Sequence, residues 1–188
     1  NYIAEGGDWG ALVSAWMAFD DDERCGALHL SMYGVRPGST NPNLARTSMK
    51  PETDEEIAWA KELAASWAPE SAYFQLQATK PQSLSYAMMD SPVGIAAWLI
   101  EKFNSWSDTK GGNIESCYTK DQLLTNIMVY IVTRTFNTAS WIYYGRREEG
   151  GRLLSPEGKR VEVPTGCALF PAELLAWPPR SYAERIYN

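Results

Sequence analysis

The sequence predicts a mixed α/β chain: part of a parallel sheet, interrupted by an inserted helical lid. Three observations predict it. An apolar run at Tyr2-Ile3-Ala4 leads through Glu5-Gly6-Gly7-Asp8-Trp9-Gly10 into a helical pattern, giving strand, tight turn and helix in that order. A second apolar run, Cys25 to Leu30, completes a strand–helix–strand unit of about 30 residues, so the two strands should be parallel neighbours. Helical patterns then succeed one another between residues 53 and 144 before strand signals resume at Arg160. The division that follows is sheet core over residues 1–50, lid over 51–150, and a return to the core over 151–188.

Gly6 and Gly10 stand two residues either side of Asp8. This is the spacing of the nucleophile elbow of α/β-hydrolases, with Asp where esterases carry Ser. The glycines permit a sharp turn and close packing of strand and helix. The turn lifts the Asp8 carboxylate above the sheet and aims the first backbone N–H groups of the helix at the same space. In the helix, Leu12, Ala15, Trp16 and Phe19 fall on one side.

Asp20-Asp21-Asp22-Glu23 reads as a solvated acidic loop. His29, the single histidine, ends the second strand and reads as structural rather than as a general base, being too close in sequence to Asp8 for the late histidine of this fold. Tyr33 to Lys50, with Arg36-Pro37-Gly38 and Asn41-Pro42-Asn43, is a long connection without periodicity. Thr53 with Glu56 forms a capping box ahead of Ile57, Ala60, Ala64 and Trp67 at helical spacing, and Pro69 should end that helix. Glu70 to Ala78 reads as a short helix. Ser91-Pro92 is a helix start, opening a run with Ile95, Trp98, Leu99 and Phe103. Thr119 with Gln122 is a second capping box, opening an apolar pattern from Leu123 to Tyr144 with a break near Thr133-Arg134-Thr135. Arg160 to Val163 alternates like a strand and ends at Pro164-Thr165-Gly166; Glu173 then supplies a carboxylate just past a late strand, where this fold places the acid that orients its histidine.

Composition bounds the function classes. The net charge of −6 and the lack of a basic patch argue against nucleic acid as a partner. Three widely spaced cysteines, Cys25, Cys117 and Cys167, suit neither a disulfide scaffold nor a zinc site and fit a reducing, intracellular setting. Eight Trp and ten Tyr leave aromatics to spare for an apolar pocket. The chain starts inside a strand and stops in mid-pattern, so it reads as an internal piece of a longer protein. Alone it would expose a sheet edge and apolar surface, and it is expected to fold poorly and to be inactive.

Six stretches, in order and spread over nearly the whole chain, carry a family resemblance: Gly6-Gly7-Asp8-Trp9-Gly10, Gln77-Ala78-Thr79-Lys80-Pro81, Asp90-Ser91-Pro92-Val93-Gly94, Glu101-Lys102-Phe103, Leu123-Leu124-Thr125-Asn126-Ile127 and Val163-Pro164-Thr165-Gly166. The chain resembles the central part of a microsomal-type epoxide hydrolase of the α/β-hydrolase fold. The resemblance implies that Asp8 is the nucleophile, Trp9 supplies an oxyanion-hole N–H, Glu173 is the acid of the triad, and Tyr73 and Tyr143 are the lid tyrosines. Tyr144 adjoins Tyr143 and competes for that register. The family's catalytic histidine would come after residue 188, and its upstream oxyanion loop before residue 1. Arg134 stands where relatives often have Gly. Apart from the resemblance, Tyr73 and Tyr143 read as core aromatics and Glu173 as a carboxylate in a helix first turn.

The implied chemistry suits these residue types. An epoxide needs a nucleophile at carbon and a donor at its poor leaving group; a desolvated carboxylate and a protonated phenol supply them. The implied substrate is a small apolar epoxide and the product a vicinal diol, with no metal or organic cofactor. A homodimer is compatible with the resemblance, and membrane attachment is left open. Two other readings stand beside it. A haloalkane dehalogenase shares the fold, the Asp and the following Trp but stabilises halide with indole or amide N–H groups. A non-catalytic binding protein on the same fold would lack the downstream histidine.

Overall fold

The computed structural model describes residues 1–33, 36–37, 46–47, 49–149 and 159–188 of the 188-residue chain. In chain order the elements are β1 (Tyr2–Gly6), α1 (Asp8–Asp20), β2 (Cys25–Leu30), β3 (Arg36–Pro37), β4 (Arg46–Thr47), α2 (Asp54–Glu70), α3 (Ala72–Thr79), α4 (Pro81–Asp90), α5 (Pro92–Ser105), α6 (Lys120–Thr133), α7 (Phe136–Glu148), β5 (Thr165–Cys167) and α8 (Arg180–Ala183). β2 is the middle of a parallel sheet ordered β1-β2-β5. The strand–helix–strand reading of residues 2–30 is therefore correct: Glu5 sits opposite His29 and Gly6 opposite Leu30. Within the long connection, β3 pairs with β4 in parallel, while Asn41-Pro42-Asn43 lies outside the described residues.

Three local readings change. The strand expected at Arg160 to Val163 is a single bridge, Val161 to Tyr187. The N–H of Val161 donates to Ile186 O and that of Asn188 to Val161 O, so this segment joins the C-terminal residues instead of the sheet. The sheet strand is β5, with the amide of Leu28 donating to Pro164 O just ahead of it. In α1 the fully buried face is Ala11, Ser14, Ala15 and Ala18, and Leu12, Trp16 and Phe19 lie on a half-buried flank. Small residues let the helix axis approach the sheet closely, and the Ser14 hydroxyl closes the contact by donating to Glu5 O at 2.9 Å. Pro69 lies inside the last turn of α2, which runs to Glu70.

The chain divides into two compact units, Asn1–Ala68 with Glu149–Pro171 and Leu175–Asn188, and Pro69–Glu148 with Ala172–Leu174. In the first, Ala4, Leu28, Leu30, Trp59, Leu63, Val161, Tyr182, Ile186 and Tyr187 form the core. Trp59 stacks on Tyr182 and donates its indole N–H to Ala176 O at 2.8 Å. Beneath this lies a buried carboxylate. Glu56, 2% exposed, accepts from Glu52 N–H, the Ser181 hydroxyl and Arg185 Nη2 at 2.8–2.9 Å. Thr53 Oγ1 accepts the Glu56 N–H as the capping box requires, but the Glu56 side chain turns to Glu52 and Arg185 rather than back to Thr53. Arg185 also pairs with Glu52 at 2.8 Å and lies over the Tyr182 ring at 4.9 Å.

In the second unit Leu84, Ile95, Ile127 and Phe136 form the core. Its helix starts match the sequence reading. Ser91 Oγ accepts the Gly94 N–H, and both reciprocal bonds of the Thr119–Gln122 box are present. The break after α6 is Arg134, left-handed at φ 56°. Among the described residues, no helix is long and apolar enough to cross a membrane.

Two outcomes follow. Burial alone would raise the Glu56 pKa, but the hydrogen bonds from Glu52 and Ser181 and the Arg185 charge outweigh it and hold the carboxyl below its ordinary value. Its stabilisation is therefore complete above the ordinary glutamate range and is lost as pH falls through the depressed value. Glu56→Ala removes the buried partner of Arg185, leaving it the exposed Glu52, and should cost about 2–3 kcal/mol in urea unfolding at pH 7, with the difference from the parent shrinking in acid. Arg134→Gly removes a left-handed penalty of about 1–2 kcal/mol at a glycine entropy cost of about 0.5–1 kcal/mol, so the denaturation midpoint should rise slightly.

Candidate active site

Asp8 opens α1 at φ 47°, a conformation that a non-glycine residue holds only when its surroundings impose it. The imposing contact is visible at Gly6. A Cβ there would stand 2.3 Å from the carbonyl carbon and oxygen of Gly10 and 2.8 Å from Ala11 N. One at Gly7 would meet Ser31 Oγ at 2.5 Å. Gly10 itself has open space about its Cα, so its part in the motif is to be approached, and side-chain room is not what it supplies. The crossing is closed by Ala11 N–H donating to Gly7 O and Ser31 N–H to Gly6 O, both at 3.1 Å. The strand end, the turn and the first helical turn thus form one tight crossing that presents Asp8.

The Asp8 side chain is open to solvent, yet enough protein surrounds it that desolvation raises its pKa, against a lowering by the backbone hydrogen bond from Trp9. A carboxylate poorly served by water is the better nucleophile. His29 is exposed, with Nδ1 3.9 Å from the Glu5 carboxylate on the neighbouring strand; the single histidine is a sheet-surface residue.

The tyrosines belong to the helical unit. Tyr73 on α3 and Tyr143 on α7 meet edge-on at 6.0 Å between ring centroids, and Phe74 packs on Tyr143 at 5.0 Å. Both rings are half-buried. Tyr144 turns to Trp141 at 5.2 Å, so the structure brings Tyr73 together with Tyr143. Glu173, half-buried, bonds back to the Leu174 N–H with Oε1 at 3.0 Å. The helical unit also carries an open cleft of about 500 Å³ lined by Met88, Asp90, Ile131 and Arg134, with neither tyrosine on its walls. No group of acidic, histidine or cysteine side chains among the described residues could hold a metal ion.

No family model matches the chain. A protein of Stigmatella aurantiaca, provisionally named an epoxide hydrolase, is 37% identical over all of the chain. Epoxide hydrolase 1 of Oryctolagus cuniculus is 34% identical over 94% of it. The chain is similar to a stretch of epoxide hydrolases over nearly its whole length. It spans 40% and 42% of the length of those two relatives. The crystal structure of juvenile hormone epoxide hydrolase from Bombyx mori superposes over the whole chain and 40% of its own length, with a TM-score of 0.71 and 26% identity. The shared α/β-hydrolase fold explains why a three-stranded sheet carries a helical insert between β2 and β5.

One group of residues has no counterpart in the sequence reading. Lys102, in the matched Glu101-Lys102-Phe103 stretch, lies with its Nζ 5.3 Å from the centre of the Tyr73 ring and is tied to Glu70 at 3.2 Å. The epoxide hydrolase resemblance marks the stretch, but no spacing rule joins residues 70, 73 and 102.

The elbow yields a direct expectation. Gly6→Ala should destroy the Asp8 geometry, costing several kcal/mol of stability because the obstructing atoms are backbone. Gly10→Ala, with nothing to strike, should change the thermal midpoint by only a few degrees.

Proposed function

We propose that this chain carries the ring-opening machinery of an epoxide hydrolase that turns small apolar epoxides into vicinal diols. The observation that supports it best is Asp8, a carboxylate held at positive φ on the elbow where related folds present their nucleophile, its pKa raised by the protein around it. An Asp8 oxygen forms a bond to a ring carbon as the carbon–oxygen bond of the epoxide breaks. The electron pair stays on the departing oxygen, which takes a proton from Tyr73 or Tyr143, phenols that are ordinarily protonated at neutral pH. The product is an alkyl ester on Asp8.

Water then attacks the ester carbonyl. A histidine expected beyond residue 188 takes the water proton, with Glu173 orienting its imidazole and the Trp9 N–H stabilising the tetrahedral oxyanion. Collapse expels the second diol oxygen as an alkoxide; the two protons of the water go to that oxygen and to the tyrosinate left by ring opening, and Asp8 regains its carboxylate with one oxygen from water. No metal or organic cofactor enters.

The test is one turnover of styrene oxide by the complete protein in oxygen-18 water, with mass spectrometry of the Asp8 peptide and of the diol. Label in the Asp8 carboxylate and an unlabelled diol are expected; label entering the diol directly would remove Asp8 from the nucleophile role. Chloride release from a chloroalkane, with no diol formed, would favour the dehalogenase reading. Tyr73→Phe and Tyr143→Phe should each slow ring opening by about 10²–10³-fold. Because the Asp8 pKa is raised and the nucleophile must be ionised, ring opening should fall with acid already above the ordinary aspartate range.

A further inference from the structure

Lys102 has no part in the reaction written above, yet its surroundings are unusual for a lysine. It lies on α5 with its side chain only 17% exposed. Its ammonium is 5.3 Å from the centre of the Tyr73 ring and 5.2 Å from that of Trp106, and the two rings meet each other edge-on at 5.3 Å. Glu70, at the end of α2, fastens this arrangement. Its Oε2 accepts from Lys102 Nζ at 3.2 Å and from the Trp106 indole N–H at 2.9 Å. The Trp106 hydrogen bond, then the Lys102 bond and charge, hold the Glu70 carboxyl below its ordinary range, so Glu70 is ionised and the cluster is an ion pair laid against two aromatic rings.

Taking a lysine out of water is costly unless the cation is paired, and here Glu70 and the two rings supply the pairing. The reaction proposed for Tyr73 makes a use evident. As the phenol donates to the departing epoxide oxygen, negative charge develops on the phenol oxygen and spreads into the ring. An ammonium over that ring is attracted more strongly at that moment than before it, and an interaction that strengthens toward the transition state accelerates the step. Glu101 lies 3.0 Å from Lys102 and Tyr143 against the Tyr73 ring, and α7 further carries Tyr144, Arg146, Arg147 and Glu148.

We propose that Lys102 is a positioning residue for epoxide opening: docked over Tyr73 and held by Glu70, its ammonium fixes the tyrosine ring and makes its phenol a stronger donor. This rests on Tyr73 being a donor in the ring-opening step. No new bond is made by Lys102, and the proton still passes from the Tyr73 oxygen to the epoxide oxygen.

The test uses the complete protein with ¹³Cζ-labelled tyrosine, the Tyr73 resonance being identified by its loss in Tyr73→Phe. Two readouts are taken against pH: the titration midpoint of Tyr73, and the single-turnover rate of ring opening. In Lys102→Met the Tyr73 midpoint and the basic limb of the rate should rise by roughly one pH unit, with ring opening about tenfold slower. Substrate binding should change little, and Lys102→Arg should retain most of the parent behaviour. Glu70→Gln keeps an acceptor for Trp106 but removes the anion, so the midpoint should move the opposite way. Opposite shifts in Lys102→Met and Glu70→Gln support the proposal. A midpoint unmoved in both, or moved the same way in both, overturns it and leaves a packing role. If Lys102→Met fails to fold, the downward shift in Glu70→Gln decides alone, and its absence overturns the proposal. The donor reading is checked apart from this: Tyr73→Phe with undiminished ring opening removes Tyr73 from the chemistry, while the NMR midpoints still report whether Lys102 acts on its ring.

Discussion

The close crossing of β1 and α1 at Gly6 is the contact on which the rest of the structure depends. Backbone meets backbone there, at a distance no side chain at position 6 could share. That approach forces the chain to reverse within Gly7 and Asp8 and leaves Asp8 at positive φ, a conformation with a real cost. The cost is met by neighbours that have no chemistry of their own: the alanine face of α1, the Ser14 hydroxyl on Glu5 O, and the paired β2 strand. Side-chain room, backbone strain and the exposure of one carboxylate are here a single constraint.

A second constraint holds the start of α2 to the C-terminal segment. Glu56 and Arg185 are 129 residues apart and meet away from water, with Ser181, Glu52 and the Tyr182 ring completing the shell. A buried pair of this kind adds less stability than its short distances suggest, because both charges were solvated in the unfolded chain. What it supplies is register. A carboxylate with three fixed donors admits one arrangement of α2 against residues 181–185, whereas the apolar contacts around Trp59 and Tyr182 would tolerate several.

Much of this was legible in the sequence, for physical reasons. The elbow, the parallel pair β1–β2, the Ser91 start and the Thr119–Gln122 box are local, set by spacings of a few residues and by groups that bond nearby. The misread parts are those decided by distant partners. Val161 and Val163 alternate like a sheet strand, yet Val161 pairs with residues 186–188. The side of α1 that carries Leu12, Ala15, Trp16 and Phe19 meets the sheet only in part, because the need for close approach puts Ala11, Ser14, Ala15 and Ala18 there. Thr53 and Glu56 look like a closed capping box until Arg185 draws the glutamate away. Tyr73 and Tyr143 could be named from the resemblance alone; that their rings touch is a matter of how α3 packs on α7. The Glu70–Lys102 pair at that site is a three-helix coincidence that no sequence period encodes.

The order β1-β2-β5 also has a consequence for how the chain is made. β2 finds one neighbour at once, but its other neighbour follows more than a hundred residues later, after the whole helical insert. At ordinary elongation rates the second edge of β2 leaves the ribosome unpaired for roughly ten seconds or more. The insert's helices carry their own start signals and can begin to form during that interval, while its main packing, α3 and α4 against α7, waits for residues 136–148. The capping residues Ser91 and Thr119 therefore bear on more than helix stability: they let the insert's helices start while the central strand still waits for β5.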